Sequence, residues 1–297
     1  SNSTLNASLS HSFDQTLRYN GSLSFAWQPE PNYSNGIANS RRDGDYIYVY
    51  VSSSLSKAWT TRYSTTVGAS YSMIDYQEDS AKTDNRQYFN LNLNNRYKWT
   101  ERLALSINWN GSYCDREYGN NEFSNFVMAG AEYAVAQNTS ATLRVGPQFK
   151  HVDNYGTKTY PSAEFGLNHR MSDRFSLGMF VRYSNEATNT YVPQTGASYY
   201  SNETWRVGLT STMKVTHRVS LNAGVNLISS DYSRPSSSST DTKTLTFNAT
   251  AGVKMMLTNV LALTAQYSYT NGSYSGYNFP MPSYNRNVFS FGMNYSF

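Results

Sequence analysis

The sequence predicts an all-β protein: a transmembrane antiparallel up-and-down β-barrel of about 16 strands, of which 15 can be read in the chain. Three observations predict it. The first is alternation. In the closing segment Phe289, Phe291, Met293, Tyr295 and Phe297 alternate with Val288, Ser290, Gly292, Asn294 and Ser296, so the odd face is greasy and the even face mostly polar. A strand in a bilayer has this pattern because its side chains point in turn to lipid and to a lumen. The second is length. Most segments run for about 10–13 residues, near the ~9–11 that cross a bilayer at a tilt and above the ~5–6 of soluble strands. The third is that short turns alternate with longer connections. Barrels of this kind have short turns on the periplasmic rim and longer loops outside.

Taken in order, the strands read as 3–13, 17–28, 45–57, 61–73, 86–98, 102–113, 122–135, 139–150, 158–170, 174–185, 203–214, 218–229, 243–256, 260–270 and 287–297. The short turns share the form apolar–Ser/Thr–x–Arg: Trp59-Thr60-Thr61-Arg62, Trp99-Thr100-Glu101-Arg102, Met171-Ser172-Asp173-Arg174 and Val215-Thr216-His217-Arg218. Looser versions are Phe13-Asp14-Gln15-Thr16, Val135-Ala136-Gln137-Asn138 and Leu257-Thr258-Asn259-Val260. The longer segments, rich in Gly, Ser, Asn, Asp and Pro, fall at about 29–44, 75–85, 114–121, 151–157, 186–202, 230–242 and 271–286. The unit therefore holds two long strands, unlike a propeller blade with four short ones. Single-chain bacterial barrels have an even number of strands, so a sixteenth strand preceding Ser1 is expected, a genuinely odd barrel being the rarer alternative. Residues 1–297 read as a single domain.

Composition narrows the class. The mean hydropathy is −0.59, and no stretch approaches the ~20 apolar residues of a spanning helix. Aromatics make up 15% of the 297 residues, with 26 Tyr, and charged residues also make up 15%, against an average near 25%. That balance suits aromatic girdles around a polar interior. The single cysteine, Cys114, cannot form an internal disulfide. A net charge of +4 is too weak to imply nucleic acid. Ser1 opens on strand-like sequence, so any export signal is expected to have been removed.

Sorting by parity exposes the charge. The apolar face is odd-numbered in every readable strand, for example Leu103, Leu105, Ile107 and Trp109. Retained parity predicts connections with odd residue counts, or a bulge, in place of plain two-residue turns. The even face carries Arg18, Arg62, Arg96, Lys98, Arg102, Arg144, Lys150, Arg170, Arg174, Arg182, Arg206, Lys214, Arg218 and Lys254, against Glu132 and Glu164. A strongly basic lumen is the expectation. Arg62, Arg102, Arg174 and Arg218 beside the short turns, with Arg18, Arg96, Lys98, Arg170, Lys214 and Lys254 one or two pleats away, would form a collar at the periplasmic mouth. Rings of Arg and Lys select anions, although basic residues at strand ends also anchor rims against lipid phosphates. Arg144, Arg182 and Arg206 lie deeper, as pore residues or as partners of Glu132 and Glu164.

Other constellations divide between structure and function. Trp27, Trp59, Trp99, Trp109 and Trp205 read as interface girdles. The even-face tyrosines Tyr46, Tyr48, Tyr50, Tyr88 and Tyr160 should point inward, to fill the lumen or to stack on sugar rings. His11, His151, His169 and His217 form no triad with a lumenal Ser or Asp, so no enzyme, metal site or cofactor is expected. The run Asp75, Glu78, Asp79 and Asp84 reads as a solvated acidic loop ahead of a calcium loop. No segment resembles a plug or a long constriction loop.

With strands such as Arg174-Phe-Ser-Leu-Gly-Met-Phe-Val-Arg-Tyr-Ser184, repeated turns such as Thr100-Glu-Arg-Leu-Ala-Leu-Ser106 and the terminal Phe297, the whole chain resembles the outer-membrane β-barrel porin families of Gram-negative bacteria. Some of those families accompany exopolysaccharide export. The resemblance implies an outer-membrane protein in contact with lipid and lipopolysaccharide. It also implies that Phe291, Tyr295 and Phe297 are the signal read by the barrel-assembly machinery. The expected function is a channel for polar, preferably anionic solutes or an exported polysaccharide. A periplasmic export partner or a partner inserted in the lumen is also expected. The second expectation is an anchoring or adhesive barrel without its own pore.

Overall fold

The computed structural model describes residues 3–28, 45–77, 85–117, 120–186, 201–233, 242–258, 260–275 and 283–295. They form one 15-stranded sheet in which every strand pairs with its sequence neighbour: β1 (Ser3–Ser12), β2 (Leu17–Gln28), β3 (Tyr46–Ala58), β4 (Tyr63–Tyr76), β5 (Arg86–Lys98), β6 (Leu103–Arg116), β7 (Glu122–Ala136), β8 (Thr139–Val152), β9 (Gly156–Arg170), β10 (Phe175–Asn185), β11 (Ser201–Lys214), β12 (Val219–Ser233), β13 (Thr242–Met256), β14 (Leu261–Ser275) and β15 (Tyr284–Tyr295). All the pairings are antiparallel. Among the described residues β1 and β15 are the two edges. Both run from the long-connection rim toward the short-turn rim, so a ladder between them would be parallel.

Parity is kept across the sheet. Partners such as Ser3 and Trp27, Tyr46 and Tyr76, or Leu261 and Tyr295 are both odd or both even. The hydrophobic pattern follows it. The buried apolar residues, including Ala26, Ile74, Met128 and Ile228, are even-numbered. The large exposed ones are odd-numbered apart from Phe180 and Val260. Odd residues therefore face lipid and even residues face the interior, since exposed Leu, Val and Phe in continuous bands are stable only against an apolar medium.

The turn motif explains how parity survives. Thr60 Oγ1 accepts hydrogen bonds from the backbone N–H groups of Arg62 (3.2 Å) and Tyr63 (3.0 Å). Thr100, Ser172, Thr216 and Thr258 do the same two and three residues on. A hydroxyl here satisfies two donors that the turn leaves outside the ladder. The Trp59 N–H donates to Tyr63 O, and the pairs Trp99–Leu103, Val215–Val219 and Leu257–Leu261 repeat it, closing three-residue connections. Where Ala136 replaces the hydroxyl residue, the turn becomes two-residue, and a register shift between Ala134 and Ala136 restores the facing. Both expected solutions, odd connections and a bulge, are present.

In the first turn Asp14 supplies the cap, its Oδ1 accepting from Thr16 N–H (2.5 Å), Thr16 Oγ1 (2.7 Å) and Leu17 N–H (2.7 Å). The Thr16 hydroxyl, followed by the two backbone donors, holds this carboxyl below its ordinary range. The folded-state pKa is depressed, so the stabilisation is present above the unfolded value of about 3.9 and is lost as pH falls through the folded one. Thr16 and Leu17 amide shifts, followed by NMR, should titrate with an inflection below about 3.9. An inflection at or above that value would remove the cap from this account.

At the opposite rim the strands run further than the alternation indicates. β6 reaches Arg116, β12 reaches Ser233, β14 reaches Ser275 and β15 begins at Tyr284. The expected long segment near 151–157 is a tight turn in which Tyr155 N–H donates to Val152 O (3.0 Å), with Asn154 at φ 70° and Gly156 at φ 80°.

Candidate functional site

The even face encloses a cavity of about 770 Å³ lined by residues from β3 through β12. Tyr48 and Tyr50 of β3 lie on its wall, and Arg144 of β8, Arg182 of β10 and Arg206 of β11 line it as well. One space touched by strands so far apart requires the sheet to curl around it.

The interior is graded along the barrel axis. Near the short turns the even-face side chains of Lys98, Glu132, Lys214 and Lys254 are exposed. Toward the long connections they are buried. Tyr46 and Tyr76 pack together with ring centroids 5.5 Å apart, beside Ile74. Lys150, 1% exposed, donates to Asn185 Oδ1 (2.9 Å) and to Glu186 O (2.8 Å), and pairs with Glu122 at 3.3 Å. Glu122 also holds Arg116 at 3.0 Å. Gln148 exchanges two hydrogen bonds with the Asn185 backbone, at 2.6 and 2.9 Å. These contacts reach from β8 over the small Ser162 of β9 to β10, tying alternate strands from the inside. Buried charges persist only when paired and hydrogen-bonded in this way.

A second row of charge lies lower. Arg144, Glu164, Arg182 and Arg206 are successive cross-strand partners on β8, β9, β10 and β11. Glu164 lies 3.4 Å from both Arg144 and Arg182. Arg206 binds both carboxylate oxygens of Glu186, each at 2.6 Å. Arg96 pairs with Glu132 at 2.7 Å. Glu122 and Glu186 join Glu132 and Glu164 as carboxylates paired with interior base, and Arg86 and Arg116 join the bases, so more of the base is paired than the sequence indicates while its surplus stands.

At the mouth the picture differs. Arg62, Arg102, Arg174 and Arg218 are the residues that close the short turns, and Lys98 and Lys214 end their strands, with Lys254 two residues short of the end of β13. All seven are exposed, and among the described residues none has an ion-pair partner. Parity bears on their role. On the strands, Lys98, Lys214 and Lys254 lie on the lumenal face, away from lipid.

The aromatic residues form two belts with one exception. Trp59 and Trp99 open short turns, with Trp99 edge-on to Tyr97 at 6.3 Å. Trp27 and Trp205 lie toward the opposite rim, where Trp27 Nε1 donates to Asp45 (3.2 Å) and Trp205 packs on Tyr183 at 4.8 Å. Trp109 stands at mid-strand in β6, on the odd, outward face, with its ring beside Gly111. Of the assembly signal, Phe291 points outward on β15 and is 84% exposed; Tyr295 ends that strand, and Phe297 lies outside the described residues.

Sequence reading missed four charged residues of the interior. Arg86 and Arg116 flank the outer ends of β5 and β6, Glu122 opens β7 and Glu186 follows β10. Arg116 and Glu186 lie past the expected strand ends at 113 and 185, whereas Arg86 and Glu122 open expected strands. The signal available was parity alone, since all four are even-numbered. The acidic run keeps Asp75, which accepts from Asn85 Nδ2 (2.8 Å); Glu78, Asp79 and Asp84 lie outside the described residues. His169 bonds Thr139 Oγ1 at 2.7 Å and His151 bonds Thr157 Oγ1 at 3.0 Å, both as local cross-strand contacts.

An apolar outer band, a polar enclosed face and two rims of unequal connections define an integral β-barrel of the bacterial outer membrane. The chain belongs to the outer membrane protein beta-barrel domain family, whose model matches residues 140–297. No curated protein matches the sequence at a significant level. Several solved structures share the fold. The copper transporter OprC matches with a TM-score of 0.57 at 10% identity, over 99% of this chain and 56% of its own. The FrpB iron transporter from Neisseria meningitidis (F3-3 variant) matches with a TM-score of 0.53 at 8% identity, over 93% and 53%. P. aeruginosa FpvA, bound to heterologous pyoverdines, matches with a TM-score of 0.52 at 10% identity, over 100% and 52%. The chain thus spans about half the length of these proteins, and the likeness is one of fold.

Proposed function

We propose that this barrel is an outer-membrane channel for polar, preferentially anionic solutes, an exported acidic polysaccharide being one such cargo. The observation that carries the reading is the half-open cavity of about 770 Å³ on the inner face, whose wall mixes polar and apolar side chains and bears Arg144, Arg182 and Arg206. Barrels of this strand number have room for an aqueous path. Fold relatives named as iron and copper transporters support passage of cargo through walls of this shape. The deep arginines share carboxylates, as Arg96 does with Glu132 near the mouth, while Arg62, Arg102, Arg174 and Arg218 at the turns have no ion-pair partner among the described residues, so the turn arginines set the entry barrier for anions.

Single-channel recording in a planar bilayer under a salt gradient tests this. Steady conductance with an anion-selective reversal potential is expected. Neutralising Arg62, Arg102 and Arg218 to Gln should lower anion preference more than neutralising Arg144, Arg182 and Arg206. The reverse ranking would move the selectivity step to the deep row. The buried network toward the long connections favours a second reading, an anchoring barrel without its own pore, and an insulating but folded protein would establish that one instead.

A further inference from the structure

We propose that the lumen cavity is a binding site for a sugar acid, with the sugar ring stacked on Tyr48 and Tyr50 and its carboxylate held by Arg144 and Arg182. The inference deepens the channel reading and rests on it for access of the ligand.

The two tyrosines are successive inward residues of β3, and their rings are nearly parallel, 11° apart with centroids separated by 6.5 Å. Both line the cavity and neither is buried. Stacked in this way, two half-open rings line one wall of the cavity with aromatic surface, a platform for a sugar. The electron-rich aromatic faces attract the polarised C–H groups on the apolar side of a pyranose. They do so without a charge, so the platform alone does not choose between neutral and acidic sugars.

The choice comes from the opposite arc of the wall. Arg144 and Arg182 share Glu164, each at 3.4 Å, longer than the ~2.7–2.9 Å of a well-formed charge-assisted bond. Two guanidinium groups and one carboxylate leave one positive charge over. The side chains are 39% and 43% exposed, so that charge is open to the cavity. The neighbouring Arg206–Glu186 pair is different in kind: both carboxylate oxygens are engaged at 2.6 Å and the arginine is largely buried, so it has nothing to offer a ligand. A surplus of a single charge matches a monoanionic carboxylate. Between platform and arginines, Asn90, Asn110 and Ser112 add neutral donors and acceptors suited to sugar hydroxyls. The volume falls inside the range of ~300–1,000 Å³ usual for small-molecule sites, with room for one or two sugar units.

Titration of the folded full chain in detergent with glucuronate, glucose and acetate, read by calorimetry, separates the parts. Glucuronate should bind at least tenfold more tightly than either glucose or acetate, since only it carries both a sugar ring and a carboxylate. Tyr50→Ala should weaken glucuronate at least fivefold and leave acetate unmoved; Arg182→Gln should bring glucuronate down to the level of glucose. Conservative Tyr50→Phe should retain tight binding, because the ring face is the contact. Equal affinity for glucuronate and acetate would reduce the site to a plain anion site and overturn the proposal, as would no binding by correctly folded protein. A conducting barrel blind to glucuronate would sink this inference and leave the channel standing. An insulating barrel that binds glucuronate would do the opposite.

Discussion

Gly146→Val should prevent β7 and β8 from pairing and cost at least ~4 kcal/mol, in the range reserved for severe backbone or packing conflicts. A Cβ on Gly146 would lie 2.0 Å from Val127 O and 2.8 Å from Met128 Cα. Both obstacles are backbone, so no rotamer relieves them. The ladder already shows the strain of this approach. It runs from the pair Glu122 and Val152 to Phe126 and Gln148, then resumes only at Ala129 and Val145. Pro147, next in the chain, has no N–H to offer in that gap. Even Gly146→Ala meets the same atoms. The control is Gly166→Ala on β9, where the nearest atom to a new Cβ is Thr142 Cβ at 4.0 Å; it should stay within ~0.5 kcal/mol. Heat-modifiable mobility on gels and urea titration in lipid vesicles give the folded fraction. A Gly146→Val protein as stable as the Gly166→Ala control would show that the close approach is not required.

The second large effect is expected at Glu122. Its carboxylate, 3% exposed, is shared by Arg116 at 3.0 Å and Lys150 at 3.3 Å. Glu122→Gln leaves two buried cations facing a neutral amide, which should cost about 3–5 kcal/mol. Lys150→Met should cost less, since Glu122 keeps Arg116 and the methionine fills similar volume. Combining the two should recover part of the loss, because one unpaired cation has gone with the anion; coupling of this sign is the mark of a shared network. Urea unfolding in vesicles, followed by tryptophan fluorescence, supplies the comparison. Glu122→Gln within 1 kcal/mol of the parent would mean that water reaches the cluster and the burial does not hold in solution.

Much of this molecule could be read from its residues, for a physical reason. Lipid outside and water inside impose a period of two on every strand, so Leu103, Leu105 and Ile107 declare both the strand and its facing. The turn motif was equally visible, because Thr60, Thr100, Ser172 and Thr216 perform one task and recur with it. The outer third was less legible. Asp115 and Arg116 continue β6 beyond the hydrocarbon, where no apolar partner marks the face, and the expected strand stopped short at 113. Pairing was the least accessible feature. The meeting of Arg144 and Arg182 at Glu164 depends on the registers of three strands, and register follows from turn geometry and a bulge, not from the charge pattern.

The even parity of every ladder has a further consequence for how such a wall can change. Each two-strand hairpin, most with a hydroxyl-capped turn, enters and leaves the sheet at the same facing. A whole hairpin can therefore be duplicated, lost or exchanged while every remaining side chain keeps its side of the wall. Adding one residue to a single turn cannot be absorbed in this way, since it would set the lipid face of one strand beside the lumenal face of the next. The bulge at Ala134 and Ala136 is the fold's own repair of that error. The barrel is thus built of interchangeable cassettes, and its bore can evolve, or be engineered, in steps of two strands.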